Sequence, residues 1–327
     1  MRLRSLSGII ALSFALFALA GCGVTRGESA NDLLMIIPNS PGGGYDQTGR
    51  AAVGVMRNHN VTEGEWTVDN VVGAGGAVAM STLMGRAGNE RTLMTVGLGV
   101  VGSLYSFGSE FRLADATPIA QLMSEPEGIL VPADSPFETI GDLVKAWKAD
   151  PGSITVGGGS SPGGPDHLFP MQLARAVGVD PREVNYITYD GGGPLTSALL
   201  GNKIQVGASG LAEFVSQIES GELRVLAVSG EKRQPQKALA KVPTLQDEGI
   251  DLVFINWRGV LAPPDIPAER ARQYVAYFEK MHDTDDWQQV LKKNGWTDDF
   301  KTGDEFGAFL TNQDKRVSTT LRELRLL

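Results

Sequence analysis

The residues in this sequence that could do chemistry sit at glycine-rich loops. Gly159-Ser160-Ser161-Pro162-Gly163 has the G-x-S-x-G spacing of a nucleophile elbow, in which a strand-to-helix turn exposes a serine hydroxyl. Such a site needs the N–H of the residue after the nucleophile as an oxyanion donor. Here that residue is Pro162, which has none. His167 and His282 are the available bases, and neither has a recognisable acid partner, so a secreted serine hydrolase using Ser161 stands only as an alternative. Gly97-Leu98-Gly99-Val100-Val101-Gly102 has the form of a dinucleotide fingerprint, but no second strand ending in an acid follows about twenty residues on. No glycine loop runs into Gly-Lys-Ser/Thr. His59, His167 and His282 are scattered and there is a single Cys, so neither a metal site nor a cofactor is expected.

The same loops suit a different chemistry. A glycine turn that opens a helix exposes backbone N–H groups backed by the positive end of the helix dipole, and so binds an anion without a charged side chain. The elements needed to position such loops recur along the chain. Leu33–Ile37 reads as a strand, runs into Pro38–Gly44 and leads to a helix over Tyr45–Met56. Trp66–Val72, Gly73–Gly76 and Ala77–Met84 repeat the unit, as do Thr92–Val96, Gly97–Gly99 and Val100–Phe107. Ser153–Val156 leads through Gly157–Gly164 to a helix over Pro165–Ala176, with Pro165 at a position that favours proline. Val184–Tyr189 leads through Asp190–Gly193 to Pro194–Leu200. Alternating strands and helices predict parallel sheets with loops gathered at the strands' carboxyl ends. Ile119–Val131 and Leu252–Leu261 predict two crossings between lobes, and Ala268 onward reads as helices with apolar faces.

The amino terminus speaks to location. Arg2 and Arg4 precede an apolar stretch, Ile9–Ala20, too short to span a membrane but suited to a secretory signal. It ends in Leu19-Ala20-Gly21-Cys22, which is similar to the lipobox of bacterial lipoproteins. That similarity implies removal of residues 1–21, lipidation of Cys22 and a tether over residues 22–30. Of the 327 residues, 41 are glycine, and the formal net charge is -9; loss of the two signal arginines takes it to -11. An acidic chain without basic blocks is a poor partner for nucleic acid. Its length predicts more than one domain.

Taken in order, the loop phrases resemble the extracytoplasmic solute receptors of tripartite tricarboxylate transporters, the Bug receptor family. The resemblance is carried by Pro41-Gly42-Gly43-Gly44-Tyr45-Asp46, Gly73-Ala74-Gly75-Gly76 and Pro136-Phe137-Glu138-Thr139-Ile140-Gly141-Asp142-Leu143. The Gly159–His167 loop, Tyr189-Asp190-Gly191-Gly192-Gly193, Val242-Pro243-Thr244-Leu245 and Trp257-Arg258-Gly259 continue it. It implies an α/β chain with the type II periplasmic-binding-protein fold, two lobes closing about a hinge like a flytrap. The implied parts are a first lobe over 31–122, a second over 123–256 and a return over 257–327. It implies capture of a small di- or tricarboxylate, delivery to integral-membrane permease subunits, a lipid-anchored monomer and no enzymatic activity. A receptor that signals to a membrane kinase is a further alternative.

Carried over by position, the first-lobe contacts are Gly42, Gly43, Gly44, Tyr45 and Asp46, with Gly73 and Ala74 nearby. The second-lobe contacts are Ser160, Ser161, His167 and Tyr189, with Ala208 and Ser209 after a strand at Ile204–Val206. Asp46 could equally cap or pack its helix, Trp257 reads as packing at the crossing, and Arg258 offers either a carboxylate clamp or a hinge ion pair.

Overall fold

In the computed structural model, residues 31–326 are described, and the signal segment, Cys22 and the tether lie outside them. The first half of the sheet is built from β1 (Leu33–Ile37), β2 (Trp66–Asn70) and β3 (Thr92–Gly97), all parallel in the order β2-β1-β3. Its connections are the helices α1 (Gly44–Asn58) and α2 (Ala77–Met84), and α3 (Leu98–Ser106) follows β3. The burial of these strands reflects their place. β3, central, is buried throughout, whereas β2 at the edge is buried only at Trp66 and then alternates between exposed and half-buried residues.

β4 (Thr117–Pro132) carries the chain across. As far as Pro126 it pairs antiparallel with β9 (Ile255–Ala262), which in turn pairs with β3. From Glu127 it exchanges that partner for β7 (Val206–Gly210) and β8 (Leu223–Val228). The second half continues through the parallel strands β5 (Thr155–Gly158) and β6 (Asn185–Thr188), with the order β7-β5-β6. Its helices are α4 (Ile140–Ala149), α5 (Pro165–Ala176), α6 (Gly192–Leu200) and α7 (Val215–Ser220). The chain returns through β9 to α8 (Ala268–His282), α9 (Asp285–Asn294), the short β10 (Lys301–Thr302) and α10 (Gly303–Glu323).

Local sequence explains several starts. α4 opens with a capping box: the Asp142 amide donates to Thr139 Oγ1 and the Thr139 amide donates to the Asp142 carboxylate. Ile140, Leu143 and Trp147 then follow at helical spacing and are buried, each contributing about 1.5–3 kcal/mol by leaving water. At the crossing, Trp257 is buried and meets Phe306 and Phe309 edge-on at 6.0 and 5.1 Å, while its Nε1 donates to Gln313. Trp257 is therefore a packing residue that docks α10 beneath the hinge.

Candidate functional site

Between the two halves lies a cleft of about 560 Å³. The starts of α1, α3, α5 and α6 and the Gly73–Gly75 turn converge on it, as expected at the carboxyl ends of parallel strands. The halves touch across its rim: Ser40 Oγ donates to the Asp190 carboxylate, Ser106 Oγ donates to the Pro162 carbonyl at 2.7 Å, and Gly191 approaches Gly43. This is a closed form.

The first-lobe wall rests on Asp46. Its Oδ2 accepts from the Gly42 amide at 2.9 Å, and its Oδ1 accepts from Arg50 and Asn70. Asp46 is 4% exposed and does not line the cleft. It holds the loop in shape and ties α1 to β2. Gly42 has φ +86°, a left-handed conformation that explains glycine there. Gly42 and Gly43 support the turn, and Gly44 and Tyr45 reach the cleft. α1 has no side-chain cap, so its first-turn amides are offered to the cleft. The Tyr45 hydroxyl accepts from the Val100 amide at the start of α3, and burial pushes its pKa up to about 12. All four residues of the Gly73–Gly76 turn have positive φ, Ala74 included at 46°, a strained state for a residue with a Cβ. Gly73 and Ala74 line the cleft.

In the second lobe, Ser160, Ser161 and Tyr189 line the cleft. His167 does not. Its Nδ1 accepts from the Gly163 amide at 3.0 Å and its ring packs on Tyr186, 4.7 Å between centroids. Burial pushes its pKa down to about 4, so the ring is neutral at pH 7 and braces the loop through the Gly163 amide. That arrangement gives Ser161 no evident base, and the residue after it is Pro162. Ala208 and Ser209 lie inside β7, not after a strand ending at Val206. Both are buried and neither lines the cleft; Ser209 bonds to the Asp166 side chain. The physical reason is pairing: Gly207 and Ala208 are bonded between β4 and β5, beneath the Leu199 side chain that covers Gly207, and the run of small residues is a strand under close packing.

The charged floor of the cleft went largely unread in the sequence. Arg258 on β9 is 5% exposed and its Nη2 stands 2.5 Å from Glu125 Oε1 on β4. Burial opposes its charge, but Glu125, Glu213, Tyr45 and Glu127 together outweigh that and raise its pKa. Gly44 makes room for it: a Cβ there would lie 2.5 Å from Arg258 Cζ and closer still to Nη2. Arg258 thus forms the ion pair that the sequence allowed and also lines the cleft, and its Nη1 is buried with no hydrogen-bond partner among the described residues.

Asp166 and Glu213 line the second-lobe side. Asp166 Oδ2 accepts from the Gly159 amide and Glu213 Oε2 from the Gly192 amide, both at 2.8 Å. Burial raises both carboxyls, Glu213 to about 8. Glu127, fully buried below them, is pushed well above the carboxylate range by burial and then by Asp166 and Glu125. The legible signal was charge inside apolar strand runs, Glu125 and Glu127 on β4 and Arg258 on β9. Glu213 had no local signature.

With this geometry in hand, the comparisons decide the family. Residues 62–326 match the model described as "Tripartite tricarboxylate transporter family receptor". The chain belongs to this family. A curated relative, the "UPF0065 protein in gbd 5'region" of Cupriavidus necator, is 29% identical over 262 residues, 79% of this chain and 77% of that protein. A TctC solute binding protein from Polaromonas is 26% identical, with a TM-score of 0.64 over 90% of this chain and 99% of that one. MatC from Rhodopseudomonas palustris, solved with bound malate, is 18% identical but superposes with a TM-score of 0.80 over 90% of this chain and all of that one. The family and its neighbours are solute-binding receptors with the two-lobed periplasmic-binding fold, not enzymes. Among the described residues, no helix is long and apolar enough to cross a membrane.

Proposed function

We propose that the chain is an extracytoplasmic, lipid-anchored receptor that captures a small organic carboxylate and delivers it to the permease subunits of a tripartite tricarboxylate transporter. The observation that carries this reading is the inter-lobe cleft, with the uncapped start of α1 beside the guanidinium of Arg258. A ligand carboxylate takes the α1 amides and Arg258, with Tyr45, Gly73 and Ala74 around it, while Ser160, Ser161 and Tyr189 meet the rest. Gly42, Gly43, Asp46, His167, Ala208 and Ser209 act behind these contacts, holding the loops. The malate found in MatC supports a carboxylate occupant.

Closure stabilises the bound form because ligand contacts to both lobes exist only when they meet. The division into 31–122, 123–256 and 257–327 is supported by the exchange of β4's partners between Pro126 and Glu127. Cys22 carries the anchor and residues 23–30 the tether. Calorimetric titration and thermal-shift screening with succinate, malate, citrate, tartrate, amino acids and aromatic acids test the capture. A saturable heat with a raised melting temperature for at least one acid is expected; blanks throughout would refute it.

A further inference from the structure

Four carboxyls crowd one guanidinium at the floor of the cleft. Glu125 and Glu127 come from β4, where that strand exchanges partners, Asp166 from the first turn of α5 and Glu213 from the short helical turn Leu211–Phe214. Glu125, Glu127 and Asp166 are 3%, 0% and 6% exposed, and Glu213 is partly buried at the cleft wall. The backbone closes tightly over them: a Cβ at Gly192 would strike Glu213 Oε2, and one at Gly210 would strike Glu125 Oε1. Arg258 is the cation that acts on these acids, and it is paired to Glu125. Asp166 accepts from the Gly159 amide and Glu213 from the Gly192 amide, but both oxygens of Glu127 are buried without a hydrogen-bond partner among the described residues. Ionising the whole set would leave buried negative charge well in excess of its counter-charge, which a folded chain avoids by keeping carboxyls neutral. The other titratable groups about the cluster are Tyr45 on α1, Tyr186 on β6 and His167 on α5, with Asp190 at the rim bonded to Ser40. Burial holds both tyrosines above their usual range and the histidine below its own, so these three are neutral at pH 7 and supply no positive charge.

Glu213 is the member whose state a ligand would change. It lines the cleft, where solvent reaches it, and burial first, with Asp166 and Glu125 adding to it, already holds its pKa up to about 8 against the pull of Arg258. A carboxylate entering the cleft displaces that solvent and brings a further negative charge toward Arg258, and both changes favour the neutral form. We infer that capture of the carboxylate is coupled to uptake of a proton from solvent by this cluster, at Glu213 foremost, so that the receptor holds its ligand more tightly in a more acidic medium. This rests on the carboxylate-capture reading and adds a proton site to it. The sign follows from linkage. A group that binds its proton more strongly in the complex than in the free chain strengthens ligand binding below its raised pKa, and that gain is lost as pH rises through it. Loss of the proton sets a second negative charge beside the ligand and weakens its hold.

The test is calorimetric titration of the protein with succinate, malate, tartrate, glutamate and benzoate, whose carboxyl groups are ionised in water from about pH 7 to 8.5. Each acid that binds is titrated at about pH 7.5 in HEPES and in Tris, buffers of unlike ionisation heat, so that the difference in observed heat counts the protons taken up. Uptake of at least about 0.3 proton per ligand is expected, with affinity falling about threefold or more from pH 7 to 8.5. Glu213→Gln, which keeps an acceptor for the Gly192 amide but does not titrate, is expected to lose at least about half of that uptake. A smaller uptake by the unaltered chain, a release of protons, or an uptake unmoved in Glu213→Gln overturns the inference and leaves carboxylate capture standing. If the variant does not fold, the two-buffer comparison on the unaltered chain decides alone. No heat from any acid overturns both.

Discussion

Removing the charge from Arg258 tests how the floor of the cleft is held. Arg258 and Glu125 are 5% and 3% exposed and paired at 2.5 Å, on the two strands that join the lobes. Arg258→Met keeps most of the side-chain bulk but leaves Glu125 buried without a counter-charge. Breaking one side of a buried pair costs about 3–5 kcal/mol. Glu125→Gln should cost less, about 1–3 kcal/mol, because Arg258 keeps Glu213 and Asp166 as neighbours whose carboxyls can ionise to meet it. If the pair is what matters, the double variant loses less than the two singles together. The coupling is then at least about 1.5 kcal/mol, beyond the few tenths expected of independent sites. Urea unfolding at pH 7, followed by tryptophan fluorescence and circular dichroism, measures all four corners. Single-variant costs below about 1 kcal/mol that add within a few tenths would refute the idea of a buried, mutually dependent pair.

Other expectations follow from the same geometry. Gly44→Ala drives a methyl group into the Arg258 guanidinium, so it should cost about 1–3 kcal/mol in overpacking and weaken ligand binding in the same titration. A Cβ at Gly102 on α3 would lie within 2.9 Å of Gly163 Cα and closer to its carbonyl, across the lobe boundary. Gly102→Ala should therefore favour the open form, seen as a larger radius of gyration in solution scattering at saturating ligand, with little change in unfolding midpoint. Burial first, with Asp166 and Glu125 adding to it, holds the Glu213 pKa up to about 8, so the folded chain keeps a proton that the unfolded chain has lost. Stability should fall as pH rises from about 5 to 8, by at most ~1.4 kcal/mol per unit for that group, and Glu213→Gln should flatten the upper part. His167 acts with the opposite sign. With its pKa near 4, the stability it gives above about pH 6.5 is lost as pH falls toward 4, and His167→Gln should flatten that limb of the urea midpoints.

The strand–loop–helix units were readable because short-range chemistry determines them. Leu33–Ile37, Ala77–Met84 and Pro165–Ala176 form with the bounds their patterns predict. β7 was misplaced since Gly-Ala-Ser-Gly looks like a turn, and only pairing on both sides with a leucine-covered face makes it a strand. At the site, the glycine loops were visible but the division of labour within them was not. A polar residue after a glycine turn, such as Asp46 or His167, serves equally to touch a ligand or to hold the loop, and the hydrogen bonds to Gly42 and Gly163 are not visible in a linear pattern. The carboxyl wall was illegible for a different reason. Asp166 and Glu213 come together only through the packing of α5, α6 and β7, and nothing local at Glu213 distinguishes it from a surface acid.

The most direct test is a crystal structure of the protein with the compound it retains through native purification. The account predicts density between the lobes, with a carboxylate about 3 Å from the first-turn amides of α1 or from the Arg258 guanidinium. A compound bound outside the cleft, or a carboxylate seated against Glu213 and Asp166 with nothing at α1, would contradict it.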